Sequence, residues 1–216
     1  MTQPISYIEE LKRKAVHLSS FWMVAATLIL PELIGNGGRY VISAIFALLL
    51  LLTLVSEHSF ANGGRYLGRL YGILFGKMLR NEVKPGQWVV SGGAPVLAAA
   101  LLVNLIFPPP IAAGSLGVML AGDAAAALVG RKFGRHKLVN GKSLEGSLAF
   151  IIAASVVLYV ILYISRAGVP CGCFYLALPA ILLAAAAELF TKQIKIDDNF
   201  TIPLSTGAVL ALAFIF

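Results

Sequence analysis

Long apolar runs, separated by short polar segments, extend along the whole chain. A helix that crosses a bilayer needs about 20 consecutive apolar residues, and several of these runs reach or approach that length. The pattern predicts an all-α fold: a polytopic integral membrane protein with about seven transmembrane helices. The runs that predict these helices are residues 15–34, 40–56, 88–107, 111–130, 147–164, 174–190 and 203–216.

The composition agrees with a membrane-embedded chain. Of the 216 residues, 59% are hydrophobic and 12% are charged, whereas soluble domains average about 25% charged residues. The predicted helices would occupy most of this length, so we expect one membrane-embedded domain, residues 1–216, without a separate soluble domain. The polar N-terminal stretch has no small-residue cleavage site, and a cleaved signal peptide is therefore not expected.

The distribution of Lys and Arg predicts the orientation in the membrane. If the connections alternate between the two sides, all of the 17 Lys and Arg residues except Arg39 and Arg166 fall on the side of the N-terminus. Short cytoplasmic loops carry such an excess of positive charge. The N-terminus is thus predicted to be cytoplasmic and the C-terminus outside, in an inner or plasma membrane. The net charge of +7 is a topology signal, and nothing supports nucleic-acid binding.

One acidic residue, Asp123, interrupts an apolar, alanine-rich helix. An ionised acid inside the membrane costs about 2.5–3.5 kcal/mol on insertion scales, so Asp123 must face a polar cavity and a partner. Two interpretations are open: an ion pair with a Lys of an adjacent helix, or a site for a metal ion or phosphate. Ala126, Ala127 and Gly130 share its helical face, and such small residues permit close helix packing or the approach of a phosphate chain.

The basic segment that follows Asp123 favours the functional interpretation. A polyphosphate binds to cationic donors, free backbone N–H groups and a helix N-terminus. An accompanying Mg²⁺ takes carboxylate oxygens, here from Asp123 or Glu145. The "NGKS" stretch is not a Walker A loop, because His136 stands where a glycine is required and no strand precedes it. The segment contains Gly130, Gly134, Gly141, Arg131, Lys132, Arg135, Lys137 and Lys142.

Other polar clusters fall on the same predicted side of the membrane. One lies at the start of the chain, one precedes the third span, and one precedes the last span and offers oxygen ligands for Mg²⁺. A single site at the cytoplasmic membrane face could accept a soluble phosphate donor from the cytosol and a lipid from the bilayer. The residues of these clusters are Glu10, Arg13, Lys14, His17, Arg80, Glu82, Glu188, Asp197, Asp198 and Asn199.

The stretch from Gly122 to Phe150, "GDAAAALVGRKFGRHKLVNGKSLEGSLAF", resembles the central motif of the CTP-dependent lipid kinases. That family includes dolichol kinase, phytol kinase and CTP-dependent diacylglycerol kinase. Two further stretches resemble it in the same order: Glu10 to His17, with the pattern E-x-x-RK-x-x-H, and Glu188 to Leu204, which contains "DDNFTIPL". The resemblance therefore covers most of the chain.

The resemblance implies transfer of a phosphoryl group from CTP, with Mg²⁺, to the hydroxyl group of a membrane lipid alcohol. A polyprenol such as dolichol, phytol and diacylglycerol are the expected acceptors, and CTP as donor rests on the resemblance alone. Mg²⁺ would be held by Asp123 with Asp198 or Glu145, and the proton acceptor would be Asp123, Glu82 or Asp198. The residues expected to bind the nucleotide are Arg13, Lys14, Gly130, Gly134, Lys137, Lys142, Glu145 and Asn199.

Two other functions are alternatives. Phosphatidate cytidylyltransferases share the GD…G…G…K…EG pattern. However, they generally carry S-P-K-K-T before the EG and K-D…H-G-G…D-R-x-D near the end, where this chain has "GKSL" and "DDNFTIPLSTG". A membrane transporter would place ionisable groups near the midplane and polar groups on both faces. The acidic residues here cluster on one predicted side, which disfavours transport.

Overall fold

The computed structural model describes residues 7–64, 66–75 and 92–215. Within these ranges the protein is built from α-helices, with short 3₁₀ turns between some of them and no β-strand. The helices are α1 (Tyr7–Ser19), α2 (Phe21–Ile34), α3 (Gly38–Ala61), α4 (Leu67–Phe75), α5 (Gly93–Ile106), α6 (Pro109–Phe133), α7 (Leu144–Ile164), α8 (Gly172–Leu189), α9 (Thr191–Ile194) and α10 (Asp198–Ala211).

The structure confirms the all-α, polytopic membrane fold, and the described part of each predicted apolar run coincides with one or more of these helices. Residues 88–91 and 216 of the predicted runs lie outside the described residues. Among the described residues, five helical stretches are long and apolar enough to cross a membrane, and α5 is a shorter apolar helix. Because α5 and α10 contain 14 residues each, the total of seven spans remains a prediction, as does the orientation. The five long stretches are Tyr7–Ile34, Gly38–Ala61, Pro109–Phe133, Leu144–Ile164 and Gly172–Leu189.

Several helices extend beyond the predicted runs, α1 and α10 among them, and one was not predicted. α1 begins at Tyr7 and α10 at Asp198, earlier than the apolar runs at 15 and 203. α4 lies inside the segment 57–87, which was expected to be a connecting loop. The starts of α1 and α10, and the whole of α4, contain no continuous apolar run, because polar or charged residues interrupt them at helical spacing.

α1 buries two charged residues against the protein. Glu10 and Lys14, one turn apart, are buried, whereas Ile8 is 64% exposed and Leu11 is 46% exposed. The outer face is mixed, since Glu9 and Lys12 are exposed as well. Charged side chains are almost never fully buried unless they are paired, so Glu10 and Lys14 need partners within the protein.

α6 is the central helix of the bundle. Every residue from Ile111 to Gly122 is buried, and α1, α2, α5, α7, α8 and α10 all contact α6. Glycines bring α7 close: a Cβ atom on Gly117 would lie 2.7 Å from Val157 Cγ1, and one on Gly122 would lie 2.6 Å from the Phe150 ring. Small residues permit such approach between membrane helices, so α6 and α7 pack as one unit.

A polar cluster joins the start of α3 to the end of α5. Arg39 Nε donates to the Asn104 carbonyl oxygen at 2.7 Å, and another guanidinium nitrogen donates to Leu105. The Asn104 amide donates to Ser43 Oγ at 2.9 Å. Arg39, one of the two cations predicted on the outer side, therefore ties two helices together by binding the unpaired carbonyl groups at a helix C-terminus.

Two adjacent glycines provide a test of the packing between α2 and α3. A Cβ atom on Gly38 would lie 2.3 Å from the Leu30 carbonyl oxygen, whereas one on Gly37 would meet no atom within 4 Å. We expect Gly38→Ala to lower the free energy of unfolding by about 1–3 kcal/mol, because backbone must move. Thermal unfolding in detergent measures this loss, with Gly37→Ala as the control. Equal stability of the two variants would contradict the packing.

Candidate active site

The carboxylate of Asp123 forms an ion pair with Lys14, which joins α6 to α1. Lys14 Nζ donates to Asp123 Oδ2, and His17 Nε2 lies 3.4 Å from the same oxygen. Lys14 is buried, and the Asp123 side chain is 18% exposed. Of the two interpretations of Asp123, the helix–helix ion pair is therefore present. It does not remove the second interpretation, because the Asp123 carboxylate is partly accessible beside Lys14 and His17.

The buried carboxylate of Glu10 lies on α1, one turn before Lys14. Glu10 accepts a hydrogen bond from Arg13 Nη2 at 2.6 Å, and its other oxygen lies 3.4 Å from Arg131 Nη1. Arg131 belongs to the last turns of α6. Glu10 thus joins the start of α1 to the end of α6 and holds two guanidinium groups near the Lys14–Asp123 pair.

Lys142, just before α7, is 27% exposed and forms a third ion pair, with the buried carboxylate of Glu188. Its Nζ lies 2.5 Å from Glu188 Oε1 and 4.0 Å from Asp198 Oδ2, and it also donates to the Glu188 carbonyl oxygen. Glu188 is in the last turn of α8, and Asp198 is the first residue of α10. The ends of α6 and α8 and the beginnings of α7 and α10 therefore meet at one end of the bundle.

Asp198 has an unusual electrostatic environment. Burial raises the pKa of its carboxyl group to about 6, and the negative charges of Asp123 and Asp197 add to the increase, while Lys142 and Lys14 oppose it. The like-charge effect means that Asp198 and Asp123, 75 positions apart by their numbers, share one electrostatic neighbourhood. A cation placed near both carboxylates would relieve this repulsion.

The glycines of the central motif bring two helices together. A Cβ atom on Gly146 would lie 2.9 Å from the Ala126 carbonyl oxygen and 3.2 Å from Gly130 Cα. One on Gly134 would lie 2.1 Å from the Gly130 carbonyl oxygen and 2.5 Å from Ser143 Oγ. At Ala126 and Gly130 the small residues therefore admit helix α7. The predicted contact of Gly130 and Gly134 with a nucleotide remains a prediction.

The remaining predicted residues occupy the rim. Glu145 accepts hydrogen bonds from the His136 backbone N–H at 3.2 Å and lies 2.7 Å from His136 Nδ1, so its contacts are to the loop. Lys137 is exposed and forms no ion pair with any described residue. Asn199 donates to Asp197 Oδ1, both through its backbone N–H at 2.9 Å and through its amide at 2.6 Å.

The described residues contain no group of three or more His, Cys, Asp or Glu side chains that could hold a metal ion. Glu145 is directed to His136, and the predicted Mg²⁺ ligands, Asp123 with Asp198 or Glu145, remain a prediction. This arrangement is compatible with Mg²⁺, which is commonly held by one or two carboxylates together with substrate phosphates and waters.

One predicted catalytic residue, Glu82, and its neighbour Arg80 lie outside the described residues. Conversely, the structure shows a buried acid that the sequence analysis did not select: Glu57, near the end of α3, accepts a hydrogen bond from Tyr71 Oη at 3.2 Å. The signal that singled out Asp123, an acid beside a long apolar run, applies equally to Glu57. Glu10 and Glu188 were noted as polar residues but not as the partners of Arg13 and Lys142.

Comparison with known proteins finds relatives along most of the chain. An uncharacterised protein of Rickettsia prowazekii is 29% identical over 202 residues, which are 91% of this chain and 90% of the relative. Probable phytol kinase 1 of Oryza sativa subsp. japonica is 32% identical over 147 residues, 64% of this chain and 46% of the plant protein. CTP-dependent diacylglycerol kinase 1 of Schizosaccharomyces pombe is 28% identical over 152 residues, 67% of this chain and 68% of the yeast protein.

No family model matches the chain, and no solved structure matches it. The chain spans about half the length of the plant phytol kinases that it resembles, 46% for the rice protein and 48% for a Zea mays protein. The relatives that carry a functional name in both plants and yeast are lipid kinases, as the central motif implied. The similarity to plant phytol kinases and to a yeast CTP-dependent diacylglycerol kinase supports the CTP-dependent lipid kinase family that the central motif implied.

Proposed function

We propose that this chain transfers the γ-phosphoryl group of CTP to the hydroxyl group of a membrane lipid alcohol at the cytoplasmic membrane face. The observation that carries the proposal is the convergence of two ion pairs, Lys14–Asp123 and Lys142–Glu188, beside Asp198 at one end of an apolar bundle. A soluble nucleotide can reach that end from water, and a lipid hydroxyl group can reach it from the bilayer. The names of the plant and yeast relatives support the reaction class.

Phosphoryl transfer asks a protein mainly for positioning and for compensation of negative charge. Lys14 and Lys142 would provide this charge from inside the bundle, and Arg13 and Lys137 from its rim. Their positions are constrained in different ways, because Lys14 and Lys142 form ion pairs with Asp123 and Glu188, whereas Lys137 is exposed. Lys14 and Lys142 would fix the phosphates, and Arg13 and Lys137 would attract the incoming nucleotide.

Asp123 is the carboxylate best placed to hold Mg²⁺, because it is charged, partly accessible and near a second acid. Bound there, Mg²⁺ would neutralise negative charge on the phosphates. Of the two candidate proton acceptors that the structure describes, we favour Asp198: burial raises the pKa of its carboxyl group to about 6, nearer to neutral pH than that of an ordinary carboxylate, which makes it a stronger base. Asp123 is engaged by Lys14, and Glu82, which lies outside the described residues, stays a candidate.

The position of the label decides between the kinase and the cytidylyltransferase. Purified protein in mixed micelles with Mg²⁺ is given phytol, a polyprenol, diacylglycerol and phosphatidate, together with CTP labelled at either the γ or the α phosphate. We expect γ label on one of the alcohols, which also names the acceptor. The α label on phosphatidate would show the cytidylyltransferase instead, and ATP in place of CTP tests the choice of donor.

Neutralising Asp123 tests the centre of the site. We expect Asp123→Asn to reduce turnover by at least about 1000-fold, because the charge that would hold Mg²⁺ is lost. The same change leaves Lys14 buried without its partner, which can cost about 3–5 kcal/mol, so loss of folding must be separated from loss of chemistry.

The double variant Lys14→Met/Asp123→Asn makes that separation, because it removes both charges together. We expect it to regain much of the thermal stability lost by Asp123→Asn while remaining inactive. Glu32→Gln, at the far end of α2, is the matched neutralisation and should retain full activity. Substantial turnover by either Asp123 variant would refute the assigned role of this carboxylate.

A further inference from the structure

The C-terminal end of α8 holds the ammonium group of Lys142. Two of its three N–H donors are directed to a single residue, since Lys142 Nζ bonds both the carboxylate Oε1 of Glu188, at 2.5 Å, and the backbone carbonyl oxygen of Glu188. The carbonyl groups of the last helical turn have no partner within their helix and carry partial negative charge. A cation therefore binds there through both backbone and side chain.

The rest of the loop is attached to the same helix end. The Asn140 amide donates to the carbonyl oxygen of Leu189 at 2.8 Å, the residue next to Glu188, and to Gln193 Oε1 at 2.7 Å. Asn140 and Gly141 have positive φ angles of 63° and 77°, so the chain reverses sharply just before Lys142. Asn140 and Lys142 thus bind two consecutive carbonyl groups of α8, which sets the conformation of the loop.

The burial of Glu188 argues that Lys142 stays in place when a ligand binds. Glu188 is 5% exposed, and departure of Lys142 would leave its charge uncompensated inside an apolar bundle, which is strongly unfavourable. The third N–H of Lys142 forms no hydrogen bond with a described residue and can face Asp198, whose Oδ2 lies 4.0 Å away. That distance is too long for a hydrogen bond and leaves a donor for an oxygen atom of a ligand.

We propose that Glu188 is a positioning residue for the nucleotide site: it fixes the Lys142 ammonium group so that its remaining donor meets a phosphate oxygen beside Asp198. The inference rests on the proposed function, since it assigns the phosphate to CTP. Glu188 itself touches neither phosphate nor lipid. It acts through Lys142, whose ammonium group lies 2.5 Å from its carboxylate.

If Glu188 acts through Lys142, substitutions of the two residues should have non-additive effects on the affinity for CTP. CTP binding with Mg²⁺ is measured for the wild-type protein, Lys142→Met, Glu188→Gln and the double variant, each checked by thermal unfolding in detergent. We expect Lys142→Met to weaken CTP binding about 10- to 100-fold, the range for loss of a charge-assisted hydrogen bond. Glu188→Gln should weaken it about tenfold, and the double variant should bind no more weakly than Lys142→Met alone.

Kinetics and conservative variants separate positioning from a general structural role. Glu188→Gln should raise the KM for CTP and leave the KM for the lipid alcohol unchanged. Glu188→Asp, which keeps the charge, should recover part of the affinity, and Glu32→Gln should match the wild-type protein.

Three results would contradict the assignment in different ways. If the loss of CTP affinity in the double variant equals the product of the two single losses, Glu188 acts independently of Lys142, which would overturn its role. Equal increases in both KM values, without recovery in Glu188→Asp, would reveal only a structural contribution and would likewise overturn it. Failure of the wild-type protein to bind CTP would instead overturn the proposed donor, and the role of Glu188 with it.

Discussion

Charge compensation inside an apolar bundle is the constraint on which the arrangement of this protein depends. Glu10, Asp123 and Glu188 lie in surroundings that cannot solvate an isolated charge, and each is bound to a cation from a distant part of the chain. Removing one member of such a pair leaves a buried, uncompensated charge, which is far more costly than losing a surface pair. The three pairs therefore admit few arrangements of α1, α6, the 134–143 loop and α8.

Close helix packing makes these pairs possible. Lys14 reaches Asp123 only because α1 lies against α6, and Lys142 reaches α8 only because α7 begins beside the end of α6. Gly130, Gly134 and Gly146 allow this close approach of α7 to α6, since a Cβ atom at any of them would meet neighbouring atoms at 3.1 Å or less. The small residues of the central motif thus contribute to the site indirectly, by fixing where the charged residues stand.

The same balance of charges suits the proposed chemistry. A site that holds its lysines against buried carboxylates is organised before the ligand arrives, so that little reorganisation is needed when phosphate charge enters it. α1 carries Glu10 and Lys14 inward, while Ile8 and Leu11 on its outer side are exposed. Under the proposed function, this helix contributes Lys14 to the nucleotide site.

Periodicity and composition were sufficient for the all-α membrane fold and for the approximate positions of its apolar helices, because burial in lipid demands long apolar runs that are visible in the sequence. Asp123 was found for the same reason: an acid in such a run must have a partner. α4 and the early start of α1 were not found, since amphipathic helices break the run while keeping the helical period.

The pairing of charges was decided only by the tertiary structure. The sequence contains 17 Lys and Arg residues and 10 Asp and Glu residues. Many different pairings among them would give every buried charge a partner of opposite sign. Lys14 binds Asp123, and Lys142 binds Glu188 rather than Asp198, because helix packing brings those groups within reach. Likewise, the small residues after Asp123 were compatible with a phosphate or a helix, and the approach of α7 to Ala126 and Gly130 is a property of the folded bundle.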